Sequence, residues 1–201
     1  MTELLAHKRL IFKQKVKIIE MNQEFKIWDE SGAEVGTIRQ EGQSPLKMAA
    51  RLFTSLDQFM THTLAVYDAS GAKVCELTRP RKVFKSRLTV QDATGRDAGT
   101  ITQANVLGKI RFDLHGGMGE QLGQIRAENW RAWNFSIVDP NEREIARITK
   151  SWEGLAKTLF TPADNYVLEI DPGVTGDLRL LVLASAAGVD VALKQDSRGF
   201  N

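Results

Sequence analysis

The chain has 201 residues, 42% hydrophobic and 26% charged, with a formal net charge of +2. This is the composition of an ordinary globular domain with a substantial core, and it excludes nucleic-acid binding driven by overall charge. The single cysteine, Cys75, excludes a disulfide framework and most thiolate metal centres, which points to a reducing, cytosolic compartment.

The N-terminus, MTELLAHKRLIFKQKVK, mixes acids and bases ahead of a short, lysine-interrupted apolar stretch. It does not read as a secretory signal, and neither end shows a lipidation box. LIFKQKVKII (10–19) is the first strand-like run, and FKIWDESGAEVGTI (25–38) opens a repeat aligned on Asp-x-x-Gly. SPLKMAARLFTSLDQFM (44–60) breaks the pattern. Ser44 is an N-cap with Pro45 in the first turn, and Leu46, Ala49, Leu52, Phe53, Leu56, Phe59 and Met60 recur at helical spacing. We expect a surface helix over about 45–60; Lys47 and Arg51 are its only bases, which favours packing on the protein over lying on a membrane.

The repeat resumes with LAVYDASGAKVCEL (64–77) and LTVQDATGRDAGTI (88–101). IRFDLHGGMGEQLGQI (110–125) follows with a Gly-rich turn, and FSIVDPNEREIARI (135–148) uses Asp-Pro-Asn-Glu. Asp in the first turn position caps the backbone with its side chain, and Gly in the fourth takes the left-handed conformation that closes a type I turn with a bulge. Each unit is a β-hairpin with one buried and one wet face. Five hairpins, the run at 10–19 and NYVLEI (165–170) make about twelve strands. A meander that long closes into a barrel and so removes its edges.

RLLVLASAAGVDVAL (179–193) is apolar nearly all round. As a helix rising ~1.5 Å per residue it reaches only ~20 Å, short of a ~30 Å hydrocarbon core. Gly188 and Asp190 weaken a membrane reading further. A helix apolar on every side must be buried on every side, so a core helix over about 177–194 is expected inside the barrel. The expectation is thus a mainly β, single-domain chain over 1–201, its hairpin repeats at about 10–170.

ITKSWEGLAKTLFTPADNY (148–166) closely resembles the C-terminal signature of the phospholipid scramblase family, I-x-K-x-W-x-G, a spacer, then F-T-x-A-D-N-[F/Y]. The matching positions are Ile148, Lys150, Trp152, Gly154, Phe160, Thr161, Ala163, Asp164, Asn165 and Tyr166. VYDASGAKVCELTRP (66–80) and LTVQDATGRDAGTITQ (88–103) are similar to the family's D-x-x-G…L-x-R-P…G-x-x-x-G-x-[IV]-x-Q arrangement. The resemblance, which covers roughly 10–193, implies the fold that this family shares with LURP-one-related proteins and the Tubby C-terminal domain. That fold is a closed twelve-stranded antiparallel barrel around a hydrophobic C-terminal helix.

Departures from the family bear on function. The acidic segment of calcium-responsive relatives corresponds to ADNYVLEIDPGVTGD, where Asp164, Glu169, Asp171 and Asp177 remain but Pro and Gly intervene. A hard cation wants six to eight oxygens in one cage, so these are weak calcium candidates and no cofactor is expected. The cysteine-rich acylated segment is replaced by RKVFKSR (81–87), and neither a Pro-rich N-terminal extension nor an aromatic-rich continuation of the last helix is seen.

Two basic clusters stand out. KRLIFKQKVK (8–17) puts Lys13, Lys15 and Lys17 on one strand face, and RPRKVFKSR (79–87) carries Arg79, Arg81, Lys82, Lys85 and Arg87 between two hairpins. Such clusters suit lipid phosphates, and the Tubby resemblance implies phosphoinositide binding. A solvated outer face explains them too, slightly better for the first cluster and slightly worse for the second. Trp28, Trp130 and Trp133 are read as packing residues, since Trp133, Phe135 and Ile137 alternate along one face. His7, His62 and His115 are scattered, Cys75 shares a strand face with Lys73 and Leu77, and HGGMGEQLG (115–123) is a turn with no helix after it. These residues assemble no catalytic constellation.

The leading expectation is therefore a non-enzymatic, cytoplasmic barrel, peripheral at the inner face of a membrane, that binds anionic phospholipid or phosphoinositide headgroups. The alternatives are a scaffold meeting an acidic protein partner, phospholipid scrambling, and a carrier of a small hydrophobic ligand. Neither a transmembrane span nor a nucleic-acid partner is expected, since stacking aromatics are not interleaved with the bases.

Overall fold

The computed structural model describes residues 2–14, 24–41, 61–80, 86–105, 108–128, 134–149 and 165–196. A 3-10 turn, Glu3–Ala6, precedes β1 (Arg9–Gln14), β2 (Glu24–Trp28), β3 (Glu34–Glu41), β4 (His62–Asp68), β5 (Lys73–Arg79) and β6 (Arg87–Asp92). Then come β7 (Asp97–Gln103), β8 (Arg111–Gly116), β9 (Gln121–Ala127), β10 (Phe135–Val138), β11 (Glu144–Thr149), β12 (Asn165–Ile170) and the helix α1 (Gly176–Asp196). Each strand pairs antiparallel with its chain neighbours, and β1 pairs with β12, so the twelve strands form a closed barrel. Closure leaves no open sheet edge to template pairing with another chain. The helix expected over about 45–60 lies outside the described residues.

The repeat works as its turn chemistry predicts. Asp29 Oδ1 accepts the N–H groups of Ser31 and Ala33, both at 2.9 Å, and the Ser31 hydroxyl at 2.7 Å. Asp68 and Asp92 repeat the arrangement with Ser70 and Thr94. Gly32, Gly71 and Gly95 have φ of 85°, 82° and 85°. In the fourth unit Gly116 replaces the capping Asp while Gly119 keeps the left-handed position, and in the fifth Glu142 occupies that position at φ 65°. A register shift beside every turn marks the bulge: Ile27/Trp28, Val66/Tyr67, Val90/Gln91, Leu114/His115 and Ile137/Val138.

A second rhythm accompanies the first. Seven residues after each turn opens comes a small residue: Gly36, Cys75, Gly99, Gly123 and Ala146. A Cβ at Gly36, Gly99 or Gly123 would fall 2.5, 2.1 or 2.6 Å from the carbonyl oxygen of Tyr67, His115 or Val138. Each of these carbonyls immediately precedes the next unit's turn, so neighbouring hairpins approach too closely there for a side chain.

Inward alternation along the strands builds one core. Leu10, Phe12, Phe25, Ile27, Ile38, Val66, Leu77, Val90, Ile101, Leu114, Ile125, Ile137, Ile148 and Leu168 are all buried. The helix lies against β5–β8 and β12. From Arg179 through Gly188 every residue of α1 is buried, which only a helix walled on all sides can achieve. Leu181, Val182 and Leu183 are at most 1% exposed and contribute roughly 1.5–3 kcal/mol each through burial. On one side a Cβ at Gly188 would lie 2.5 Å from Leu88 Cδ1, so the missing side chain lets helix and β6 touch.

The antiparallel order gives the barrel two unlike mouths. All five tight turns and the Asp171–Thr175 turn into α1 lie at one end, the hairpin mouth. The strand ends flanking 15–23, 42–60, 81–85, 106–107, 129–133 and 150–164 lie at the other, the loop mouth. The helix therefore starts at the hairpin mouth and runs toward the loop mouth.

Candidate functional site

Arginine–carboxylate pairs dominate the hairpin mouth. Arg9 meets Glu169 at 2.6 Å and Glu30 at 3.1 Å, and Arg143 meets Asp171 at 2.7 Å. Arg96 grips Asp177 at 2.6 Å and Asp92 at 2.9 Å, tying the β6–β7 turn to the first turn of α1. The guanidinium of Arg96 holds the Asp177 carboxyl below its usual range. The Gly173 N–H, then Arg143, do the same for Asp171. Three of the four sequence candidates for calcium thus face arginines, each a different one, and Asp164 lies outside the described residues. Among the described residues no group of three or more His, Cys, Asp and Glu could hold a metal ion.

Arg179, in the first turn of α1, is 4% exposed. It donates to the carbonyls of Val174 at 2.9 Å and His7 at 2.7 Å, so it fastens the N-terminal segment across this mouth. Burial lowers its pKa.

At the loop mouth the sequence candidates divide. Lys13 is half-buried on the outer face near the end of β1, its Nζ 4.9 Å from the Trp28 ring centre. This cation–π contact accounts for Trp28, which lies on the outer wall and not in the core. Partial burial lowers the Lys13 pKa. Arg87 is exposed at the start of β6. Lys15, Lys17, Arg81, Lys82 and Lys85 lie outside the described residues, as do Trp130 and Trp133.

Arg79 sits differently from an outer-face base. It continues the inward alternation of Cys75 and Leu77 and is 5% exposed. Two further polar residues share that stretch of inner wall, and neither belongs to the bases that stand out in the sequence. Ser86, two positions before inward Leu88, is 4% exposed; Gln103, two positions after inward Ile101, is 7% exposed. The Gln103 N–H donates to the Ser86 carbonyl at 2.8 Å, and the Ser86 N–H donates to Gln103 Oε1 at 3.3 Å. A polar residue on the inward beat of an otherwise apolar strand is the signal that could have revealed them. Arg79 and Gln103 are also the polar positions of the L-x-R-P and G-x-x-x-G-x-I-x-Q runs.

Cys75 is fully buried, and burial pushes its thiol up to about 12, so it stays protonated. It shares the inward face with Leu77 but not with Lys73, because the bulge at Val66/Tyr67 shifts the alternation between them. Lys73 instead pairs outside with Glu41 and Glu76 at 3.0 and 2.8 Å. Among the described residues no helix is long and apolar enough to cross a membrane.

The chain is similar to a phospholipid scramblase family protein of Schizosaccharomyces pombe, with 24% identity over 218 residues, covering 96% of this chain and 55% of the relative. It is also similar to Altered inheritance rate of mitochondria protein 25 of Saccharomyces cerevisiae, with 21% identity over 235 residues, covering 94% of this chain and 71% of that protein. The chain thus spans about half the length of the fission-yeast relative. No solved structure gives a significant match. The Scramblase profile matches residues 1–193, nearly the whole barrel with its helix, and the chain belongs to the Scramblase family.

Proposed function

We propose that this barrel binds anionic phospholipid headgroups, phosphoinositides among them, peripherally at the cytoplasmic face of a membrane and without catalysing a reaction. The observation that carries this reading is the shared position of the two basic clusters' anchor points. Lys13 near the end of β1, Arg79 at the end of β5 with Pro80 after it, and Arg87 at the start of β6 with Ser86 before it are all at the loop mouth. The carboxylates of the five turns and the start of α1 sit at the opposite mouth. Each surface base near an anionic bilayer contributes about 1 kcal/mol, so several at one mouth orient as well as bind. Cys75, buried and protonated, is not available as a thiolate nucleophile. Passage of lipid through the lumen gains no support, because α1 and the apolar core fill it.

Flotation with anionic and neutral vesicles across a salt series tests the reading. We expect salt-sensitive binding to anionic vesicles alone, lost when Arg81, Lys82 and Lys85 are all changed to Glu. Absence of binding at low salt would overturn it and direct the search to an acidic protein partner.

A further inference from the structure

We propose that residues 2–8 form a strap over the hairpin mouth that opens as one unit while the barrel and its helix stay in place, because sealed polar groups oppose its closure. This strap lies at the mouth opposite the proposed headgroup contact and does not depend on it.

Three contacts hold the strap down. Leu4 is 1% exposed and belongs to the barrel core. It is seated over Gly36, where a Cβ would lie 3.2 Å from Leu4 Cδ2. From the first turn of α1 the Arg179 guanidinium donates to the His7 carbonyl at 2.7 Å. The Ile170 N–H donates to the Lys8 carbonyl at 2.8 Å, one step beyond the β1–β12 ladder.

Polar groups act against these contacts. Thr2 stands at the N-cap of the 3-10 turn yet makes no side-chain capping bond, and its Oγ1 is sealed from solvent without a partner. His7 Nε2 and Arg179 Nε are sealed in the same way. Closure strips water from all three atoms and gives none of them a replacement, so each favours the open state, in which water supplies the bond. Arg179 meets two carbonyls, of Val174 and His7, and not a carboxylate.

Both limits of the moving unit are marked by ion pairs or hydrogen bonds that do not involve it. Immediately after the strap, Arg9 grips Glu169 at 2.6 Å and Glu30 at 3.1 Å, which fixes β1. Arg96 grips Asp177, and Arg179 keeps its bond to the Val174 carbonyl, so the start of α1 stays seated when the His7 bond breaks. Opening therefore withdraws Leu4 from the core and turns the Arg179 guanidinium toward solvent, without unpairing β1 from β12. A small segment with few apolar anchors is where such local opening occurs.

Native-state hydrogen exchange of the whole chain at low urea concentrations tests the proposal. The Leu5 N–H, which donates to the Thr2 carbonyl at 3.0 Å, and the Ile170 N–H report the strap. The Asp171 N–H, next in the chain, donates to the Ile145 carbonyl on β11 and reports the barrel. Leu5 and Ile170 should share one protection factor, at least about tenfold below that of Asp171, and a weaker urea dependence, because strap opening exposes little surface. Ile125→Val, in the core on β9, should speed Asp171 several-fold and leave Leu5 and Ile170 unchanged. Thr2→Val removes a sealed hydroxyl at nearly constant shape and should slow Leu5 and Ile170 about tenfold. Exchange of Ile170 together with Asp171, or a response of Leu5 and Ile170 to Ile125→Val, would overturn the proposal by making the segment part of global unfolding. Unequal protection of Leu5 and Ile170 would overturn it in favour of residue-by-residue fraying. Unslowed exchange in Thr2→Val would overturn it by removing the sealed groups as the cause.

Discussion

Gly99 shows how much one missing side chain can matter. Its φ of 140° belongs to a region that L side chains rarely adopt, and a Cβ there would fall 2.1 Å from the His115 carbonyl oxygen. No rotamer relieves a clash between Cβ and backbone, so β7 or β8 must move and the ladder between them must loosen. Gly99→Ala should destabilise the barrel by about 2–4 kcal/mol, read by urea unfolding. A loss below ~0.5 kcal/mol would mean that the strands accommodate the methyl group. Gly188 differs, because its hypothetical Cβ meets the flexible end of Leu88 and not backbone. Backbone conformation and the identity of the neighbouring atom separate the two glycines, and neither is visible in the residue itself.

The hairpin is the unit that sequence expresses most directly. Asp, Ser or Thr, and Gly act within five residues of one another, so their hydrogen bonds form whatever the remainder of the chain does. The Ser31, Ser70 and Thr94 hydroxyls hold the Asp29, Asp68 and Asp92 carboxyls below their ordinary range. A carboxyl depressed in the folded state contributes stability that is present above its unfolded pKa of about 4 and is lost as pH falls through the folded value. The thermal midpoint should therefore stay level from about pH 8 to 5 and fall below about pH 4. Changing all three to Asn should flatten that fall, since Asn keeps an acceptor oxygen but does not titrate. An unchanged acid slope in the triple variant would assign the loss to other carboxylates, first to Asp177 beneath Arg96.

At the scale of the whole molecule the helix decides whether a barrel exists. Leu181 is 0% exposed, within the buried stretch Arg179–Gly188 of α1. A carboxylate there costs several kcal/mol, comparable with a total stability of ~5–15 kcal/mol. Leu181→Asp should abolish soluble, folded protein, whereas Leu181→Met, close in volume, should cost under ~1.5 kcal/mol. Circular dichroism and gel filtration of the two variants check this; a folded Leu181→Asp protein would mean that the helix is dispensable to the closed sheet.

The strand count, the turns and the need to bury the last helix were determined by the sequence, because each depends on periodicity or on contacts a few residues apart. Closure itself was legible from the length of the meander, and the β1–β12 pairing completes it across some 160 positions. Which mouth each residue faces was decided only by tertiary structure. The bulge beside the β4–β5 turn separates Lys73 from Cys75, and the alternation that follows it carries Arg79 inward although the segment 79–87 that it opens is rich in bases. Arg9 and Glu169 are far apart in the chain, yet they pair because β1 and β12 close the sheet. Ser86 and Gln103 were invisible as a pair for the same reason: hydrogen bonding across strands depends on register, and register is a property of the assembled sheet.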